Sequence, residues 1–163
     1  MLKIRKATTN DLADILDVYA AARKYMRTHG NQIQWHNKYP QESVILSDIA
    51  NGNLYVTEDD EGVCGVFAFI FGEDPTYKDI DGAWLNDLPY AAIHRVASNG
   101  RSKGVFYSAF DYCSALSPQL RIDTHASNIT MQNAVSNRGF VRCGTIITWD
   151  GTPRIAYHWS KEE

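Results

Sequence analysis

The sequence predicts an α+β fold in one domain spanning residues 1–163, with elements in the order β-α-α-β-β-β-α-β-α-β-β. Three observations predict it. Apolar runs of strand length are bounded by turn residues, as at Asn53–Glu58 and Val63–Phe71 on either side of Asp59-Asp60-Glu61-Gly62. Apolar side chains recur at helical spacing behind a capping pattern, as at Leu12, Ile15, Leu16, Tyr19 and Met26 after Thr8 and Asp11. The final two strands meet at Asp150-Gly151, a hairpin signal.

In chain order, Leu2–Ala7 reads as a strand and the helix behind Thr8 stops at Gly30. Asn31–Tyr39 is a polar loop carrying Trp35, His36 and Tyr39. Pro40 suits the first position of a second helix, running through Ile45 and Ile49 to Gly52. Two strands follow, Asn53–Glu58 and Val63–Phe71. The second is apolar throughout, as for a strand covered on both faces. Gly72–Leu88 has no period and many turn residues, so it reads as a long, partly ordered loop of the kind that carries function. Pro89–Ala97 is a strand. Val105, Ala109, Tyr112 and Leu116 mark a helix that ends before Pro118. Gln119–Thr124 is a strand, Asn128–Arg138 a helix ended by Gly139, and Phe140–Thr148 and Pro153–Trp159 the closing strands.

Composition narrows the function classes. With 44% hydrophobic and 21% charged residues the chain is of ordinary soluble type. A net charge of −3 argues against a protein whose main partner is nucleic acid. The N-terminal residues lack the apolar core of a signal peptide, and Val63–Phe71 is too short to span a bilayer, so a cytoplasmic protein without a membrane partner is expected. Cys64, Cys113 and Cys143 form no C-x-x-C pair and read as buried free thiols. Cys113 as a nucleophile carries little weight among core-like neighbours. No metal is expected.

The most informative stretch is His94–Phe110, a strand turning through Ser98-Asn99-Gly100-Arg101-Ser102-Lys103-Gly104 into a helix. A glycine-bearing turn before a helix leaves backbone N–H groups unpaired at the positive end of the helix dipole. With Arg101 and Lys103 nearby, this is a phosphate site by its chemistry. The spacing fits neither a P-loop nor a dinucleotide fingerprint. Arg101-Ser102-Lys103-Gly104-Val105-Phe106 resembles the [Q/R]-x-x-G-x-[G/A] pyrophosphate loop of the GNAT superfamily of N-acetyltransferases, with Phe106 where glycine or alanine is usual. Asn128 with Gly139-Phe140 resembles that family's N-x(10)-G-F segment, and the element order resembles the family's over the whole chain.

The resemblance implies a GNAT-like fold, a single mixed and mostly antiparallel sheet flanked by helices. It implies acetyl-CoA as co-substrate, lying between splayed fourth and fifth strands. The pantetheine arm would pair with backbone around His94, Arg95 and Val96. The pyrophosphate would sit on N–H groups of Ser102, Lys103, Gly104, Val105, Phe106 and Tyr107, near Arg101. Asn128 would hydrogen-bond the CoA arm, a role compatible with a helix N-cap. The implied reaction is attack of an amine on the thioester. A primary amine, with pKa about 10.4, arrives protonated and must lose a proton.

Asp123 is the first candidate base, matching a position where some members carry a glutamate. His125, two residues on, falls on the same strand face by alternation and completes the candidate pair. His94 is a third candidate, weighed against a satisfied core histidine. Many members carry a tyrosine acid seven residues after the asparagine. Here that position is Val135, which leaves Ser136, Tyr107 or water as substitutes. Trp35, His36, Tyr39, Tyr77 and Trp84 lie in the segments from which an acceptor would enter, and Glu73, Asp74 and Asp79 would attract a cation. The acceptor amine is unspecified, a homodimer is left open, and the alternative reading is a non-catalytic CoA-binding sensor or scaffold.

Overall fold

The structure, a computed structural model, describes residues 1–30, 35 and 39–161. His36 lies outside the described residues. The elements are β1 (Lys3–Lys6), α1 (Leu12–Thr28), α2 (Glu42–Ala50), β2 (Leu54–Asp59), β3 (Gly62–Phe71), β4 (Asp81–Gly82), β5 (Ala91–Ser98), α3 (Val105–Leu116), β6 (Gln119–Thr124), α4 (Ile129–Asn137), β7 (Val141–Ile147) and β8 (Pro153–Ser160). One sheet holds all the strands in the order β1-β2-β3-β5-β6-β8-β7-β4. Every adjacent pair is antiparallel except β5 and β6. The sheet is therefore mixed and mostly antiparallel, as expected.

Local chemistry accounts for the elements. Thr8 and Asp11 form the capping box, closing a short 3-10 turn that feeds α1. α1 buries Ile15, Val18, Tyr19 and Ala22 against Ile45 of α2 and against Val56, Val66 and Ala68 of the sheet. The opposite face carries α3 and α4, where Ala109, Phe110 and Val135 pack with Phe67, Phe69, Ile93 and Ile122. β3 is buried without a break from Cys64 to Phe69, because helices cover both of its faces. Among the described residues no helix is long and apolar enough to cross a membrane.

Three expectations need correction. Gly72–Leu88, read as a loop, contains a 3-10 turn at Pro75–Tyr77 and the two-residue strand β4 at the sheet edge. There Gly82 pairs with Gly144, and a Cβ on Gly82 would lie 2.2 Å from the Cys143 carbonyl oxygen. The strand is one aspartate and one glycine, so it carries no apolar pattern to read. The second helix starts at Glu42, two residues beyond Pro40, with Gln41 as its extended cap. Cys64 and Cys113 are buried, but Cys143 is only half-buried near that edge. Burial pushes the Cys113 thiol well above its usual range, which disarms it as a nucleophile.

Candidate active site

The site forms where two strands part. β5 and β6 pair in parallel only at Ala91–Leu120 and Ala92–Arg121. A bulge diverts β5 just beyond. His94 faces Ala68 and Ala97 faces Val66, so Arg95 and Val96 together oppose Phe67. Arg95 takes a left-handed conformation, φ 52°, unusual for a residue with a Cβ. Besides a hydrogen bond from Nη1 to the Tyr39 hydroxyl at 3.2 Å, two contacts hold it there. Its guanidinium reaches Asp48 on α2 at 2.8 and 2.9 Å, and its carbonyl oxygen accepts the Tyr19 hydroxyl at 2.9 Å. The arginine expected to lend backbone to a ligand is thus also the pin of the bulge.

A cleft of about 300 Å³ opens between the diverging strands. His94, Arg95 and Val96 line one side, and Ile122, Asp123 and Thr124 the other. Past Ala92 the β5 edge that faces β6 has no ladder partner among the described residues. Asn128 lines the cleft and also caps α4, its Oδ1 accepting the Met131 N–H at 3.1 Å. The N-cap reading of Asn128 is therefore seen directly, at a position on the cleft wall.

Beyond β5 the turn enters α3 through Gly104, at φ 78°. The Ser108 N–H bonds the Gly104 carbonyl, which leaves the N–H groups of Gly104, Val105, Phe106 and Tyr107 without intrahelical acceptors. A Cβ on Gly104 would meet no atom within 4 Å, so the space beside it is open. Phe106 packs its side chain against the core. Tyr107 accepts a hydrogen bond from Asn137, with Arg138 stacked over its ring. The charge is distributed differently from the sequence expectation. Arg101 is drawn to Asp59 at 2.7 and 2.9 Å, and Ser102 also donates to Asp59. Hydrogen bonds from Arg101, then Ser102, hold the Asp59 carboxyl well below its usual range. Lys103 is exposed and is the cation that remains for a ligand.

These features fit a pantetheine pyrophosphate. An unpaired strand edge suits amide groups, and an open helix start beside a lysine suits a phosphate.

The acid–base groups gather on one face of β5 and β6. His94 Nε2 lies 2.8 Å from Asp74 Oδ2, and His94 Nδ1 lies 3.9 Å from Asp123 Oδ2. Tyr77 donates to Asp123 Oδ2 at 2.6 Å. Burial alone would raise the Asp74 carboxyl, but hydrogen bonds from His94 and Thr76 outweigh it and hold it at about 2. Burial, then Asp123, pushes the Tyr77 hydroxyl well above its usual range, so it remains a donor.

The structure thus brings Asp123 to His94 rather than to His125. β6 ends at Thr124, so strand alternation stops before His125. The ring of His125 turns into the start of α4, where Nδ1 accepts the Ser127 N–H at 3.0 Å. Burial, then Arg154, lowers its pKa.

Aromatic rings frame the mouth. Trp149, from the β7–β8 loop, packs on Tyr39 with ring centroids 4.8 Å apart, and Trp35 stands between Tyr39 and Tyr19. Asp150 and Arg154 lie beside them as an ion pair at 3.4 Å. Trp149, Asp150 and Arg154 escaped the sequence reading, although the Asp150-Gly151 turn signal placed a loop there. Tyr77 and Trp84 sit under the 72–90 segment, Tyr77 fully buried. Among the described residues no three His, Cys, Asp or Glu side chains are grouped to hold a metal ion.

No family model matches the chain, and no curated protein does. Solved structures do. A GNAT-family acetyltransferase from Streptococcus agalactiae 2603 is 31% identical, with a TM-score of 0.91 over 99% of this chain and 96% of its own. GNAT-family acetyltransferases from Listeria monocytogenes 4b F2365 and Bacillus cereus ATCC 10987 share 20% identity, with TM-scores of 0.68 and 0.65. The first covers 98% of this chain and 94% of its own, the second 100% and 99%, and at that identity they show the fold alone.

Proposed function

The chain belongs to the GNAT family of acetyltransferases, and from that premise we propose that it moves an acetyl group from acetyl-CoA to a primary amine. Acetyl-CoA, when bound, supplies an acyl group activated as a thioester. The unpaired edge of β5 at His94–Val96 receives the amides of its arm. The N–H groups of Gly104 to Tyr107, with Lys103, receive the pyrophosphate.

One observation carries the acceptor half of the proposal. His94 Nδ1 and Asp123 Oδ2 lie 3.9 Å apart where the strands part, both lining the cleft. Two acceptors at that separation can share the hydrogens of one ammonium group. Asp123 attracts the cation, as an anion does for a protonated amine with pKa about 10.4. With Nε2–H directed at Asp74, His94 carries its lone pair on Nδ1, and that atom takes the amine's proton. Asp74 acts through His94 as a positioning residue. Tyr77 holds Asp123 in place by its hydrogen bond. The amine nitrogen is then neutral beside the acyl carbon, and holding the two together supplies much of the acceleration.

The test is release of free thiol from acetyl-CoA against a panel of amines, with the N-acetyl product identified by mass. Amine-dependent, saturable release is expected. Asp123→Asn should lower kcat by about 100-fold while calorimetry shows CoA affinity little changed. CoA binding without amine-dependent release from any amine would overturn transfer and assign a binding module instead.

A further inference from the structure

A second concavity lies beside this machinery and shares the Tyr77 wall with it. It is a groove of about 870 Å³ between the end of β3, the segment before β5, and the C-terminal end of α3. Its volume is in the range of small-molecule sites. At its base sits Arg121, only 5% exposed. The guanidinium is stacked between two rings, 4.1 Å from the Trp84 centroid and 3.9 Å from that of Tyr90. This sandwich fixes the plane of the cation but leaves its edge underused. Nη2 donates to the Asn86 carbonyl at 3.0 Å, and Nε is buried with no hydrogen-bond partner. Nη1 makes no hydrogen bond to a described residue, and no carboxylate among those residues lies within 4 Å of the guanidinium.

A desolvated cation with no carboxylate in contact is costly, and the ring faces compensate only part of that cost. Burial lowers the pKa of Arg121, with Tyr90 and the more distant Asp87 opposing it. The walls above it are apolar. Phe71, Leu88 and Leu116 line the groove and are each more than half exposed, an unusual expense for three large apolar side chains in one place. Lys78, Glu73 and Asp87 complete the lip.

We propose that this groove binds an amphipathic monocarboxylate, its headgroup paired with the Arg121 edge and its tail laid along Phe71, Leu88 and Leu116. A carboxylate suits the planar guanidinium edge. A phosphate dianion suits the site less, because Glu73 and Asp87 repel a second charge and the apolar walls desolvate it. The ligand lies outside the acetyl-transfer cleft, with Tyr77 as the wall that touches both.

The probe is sodium octanoate, titrated into the full chain by calorimetry and by NMR of the tryptophan indole N–H signals, assigned with single Trp→Phe variants. Octanoate should shift the Trp84 signal while leaving Trp35 and Trp149, at the other site, in place. Octan-1-ol and acetate, lacking the charge and the tail respectively, should each bind at least tenfold more weakly. Arg121→Met should abolish the preference for octanoate over octanol. Should that variant misfold, Leu116→Asp changes an exposed position and places a like charge in the tail path, and it should abolish binding in a normally folded protein. Equal affinity for octanoate and octanol overturns the proposal. So does an octanoate response at Trp35 and Trp149 in place of Trp84, or wild-type affinity in Leu116→Asp.

Discussion

His94 Nε2 lies 2.8 Å from Asp74 Oδ2, a contact that joins the centre of β5 to the loop that follows β3. It fixes the ring so that its other nitrogen looks toward Asp123. Two acceptors facing each other at 3.9 Å are a poor arrangement for stability alone. They become a good one when a protonated amine arrives between them.

The first prediction follows. His94→Gln keeps a polar side chain but removes the proton acceptor, and should lower kcat about 100-fold or more. Asp74→Asn should lower kcat less. It should leave CoA affinity unchanged, since Asp74 acts only through the ring. Rates and CoA calorimetry for both variants check this. Wild-type kcat in a folded Asp74→Asn protein would make the contact merely structural.

Gly104 separates backbone strain from ligand space. Its φ is 78°, and the volume beside it is open. Gly104→Ala should therefore destabilise the free protein by only about 1–2 kcal/mol, the cost of a left-handed residue with a Cβ. Its effect on CoA affinity should be larger, because the new methyl group fills the open space at the helix start. Gly104→Val should weaken CoA binding further. Chemical denaturation and calorimetry on the same samples distinguish the two effects. CoA affinity unchanged in either folded variant would put the pyrophosphate elsewhere.

How much of this was legible in the chain differs by element. β6 was readable to the residue, and α3 was readable from its periodicity between Gly104 and Pro118. The turn before α3 was readable as a glycine-bearing helix start, since Gly104 is a local signal. The destination of Arg101 was not, because its partner Asp59 sits on another hairpin, 42 residues away. The Asp74–His94 contact is hidden for the same reason, as strand alternation is local while the pairing of β3, β5 and β6 is not. Alternation misled at His125, where the strand stops one residue too early. β4 was unreadable because Gly82 and Gly144 meet as bare backbone. Asp48 and Tyr19 looked like ordinary helix residues, and only the bulge at Arg95 gives them their task.

That bulge carries a prediction about stability. Asp48 and Arg95 form a largely buried pair, with side chains 9% and 16% exposed. Asp48→Asn leaves the guanidinium without its counter-ion and should destabilise the fold by about 3 kcal/mol. CoA affinity should fall as well, since Arg95 shapes the β5 edge. Denaturant unfolding followed by calorimetry at a temperature where the variant is folded reads both. Near wild-type stability would mean that Tyr19 and Tyr39 hold the bulge without the ion pair.

His158 sets an acid limit. It is fully buried, its Nδ1 accepting the Leu85 N–H and its Nε2 bonded to Gln119. Burial, then Arg121, pushes its pKa from 6.5 down to about 4. The folded state thus holds fewer protons than the unfolded state between those values. Its contribution is complete above pH 6.5 and is lost as pH falls toward 4. That loss should be about 3 kcal/mol across the window from 6.5 to about 4, one pKa unit being about 1.4. Denaturant midpoints for wild type and His158→Gln at several pH values check it, the variant being flatter across the window. Parallel slopes would show that carboxylates alone set the acid sensitivity.

Val135 occupies the place where many relatives carry a tyrosine acid. Asn128 and Met131 on the same stripe of α4 line the cleft, but Val135, one turn further on, is fully buried in the core. A phenol introduced there must displace packed side chains such as Ile122 and Phe140 before it reaches the cleft. Overpacking of this kind costs about 1–3 kcal/mol. The chemical gain on offer is small, because a thiol with pKa about 8.5 already departs readily near neutral pH, and water can protonate it afterwards. Val135→Tyr should therefore lower the melting temperature without raising kcat greatly. Turnover with the best amine and thermal melting of the same preparation measure both. A stable variant with a gain of about 100-fold, the scale of general acid catalysis, would show that thiolate departure limits the native enzyme.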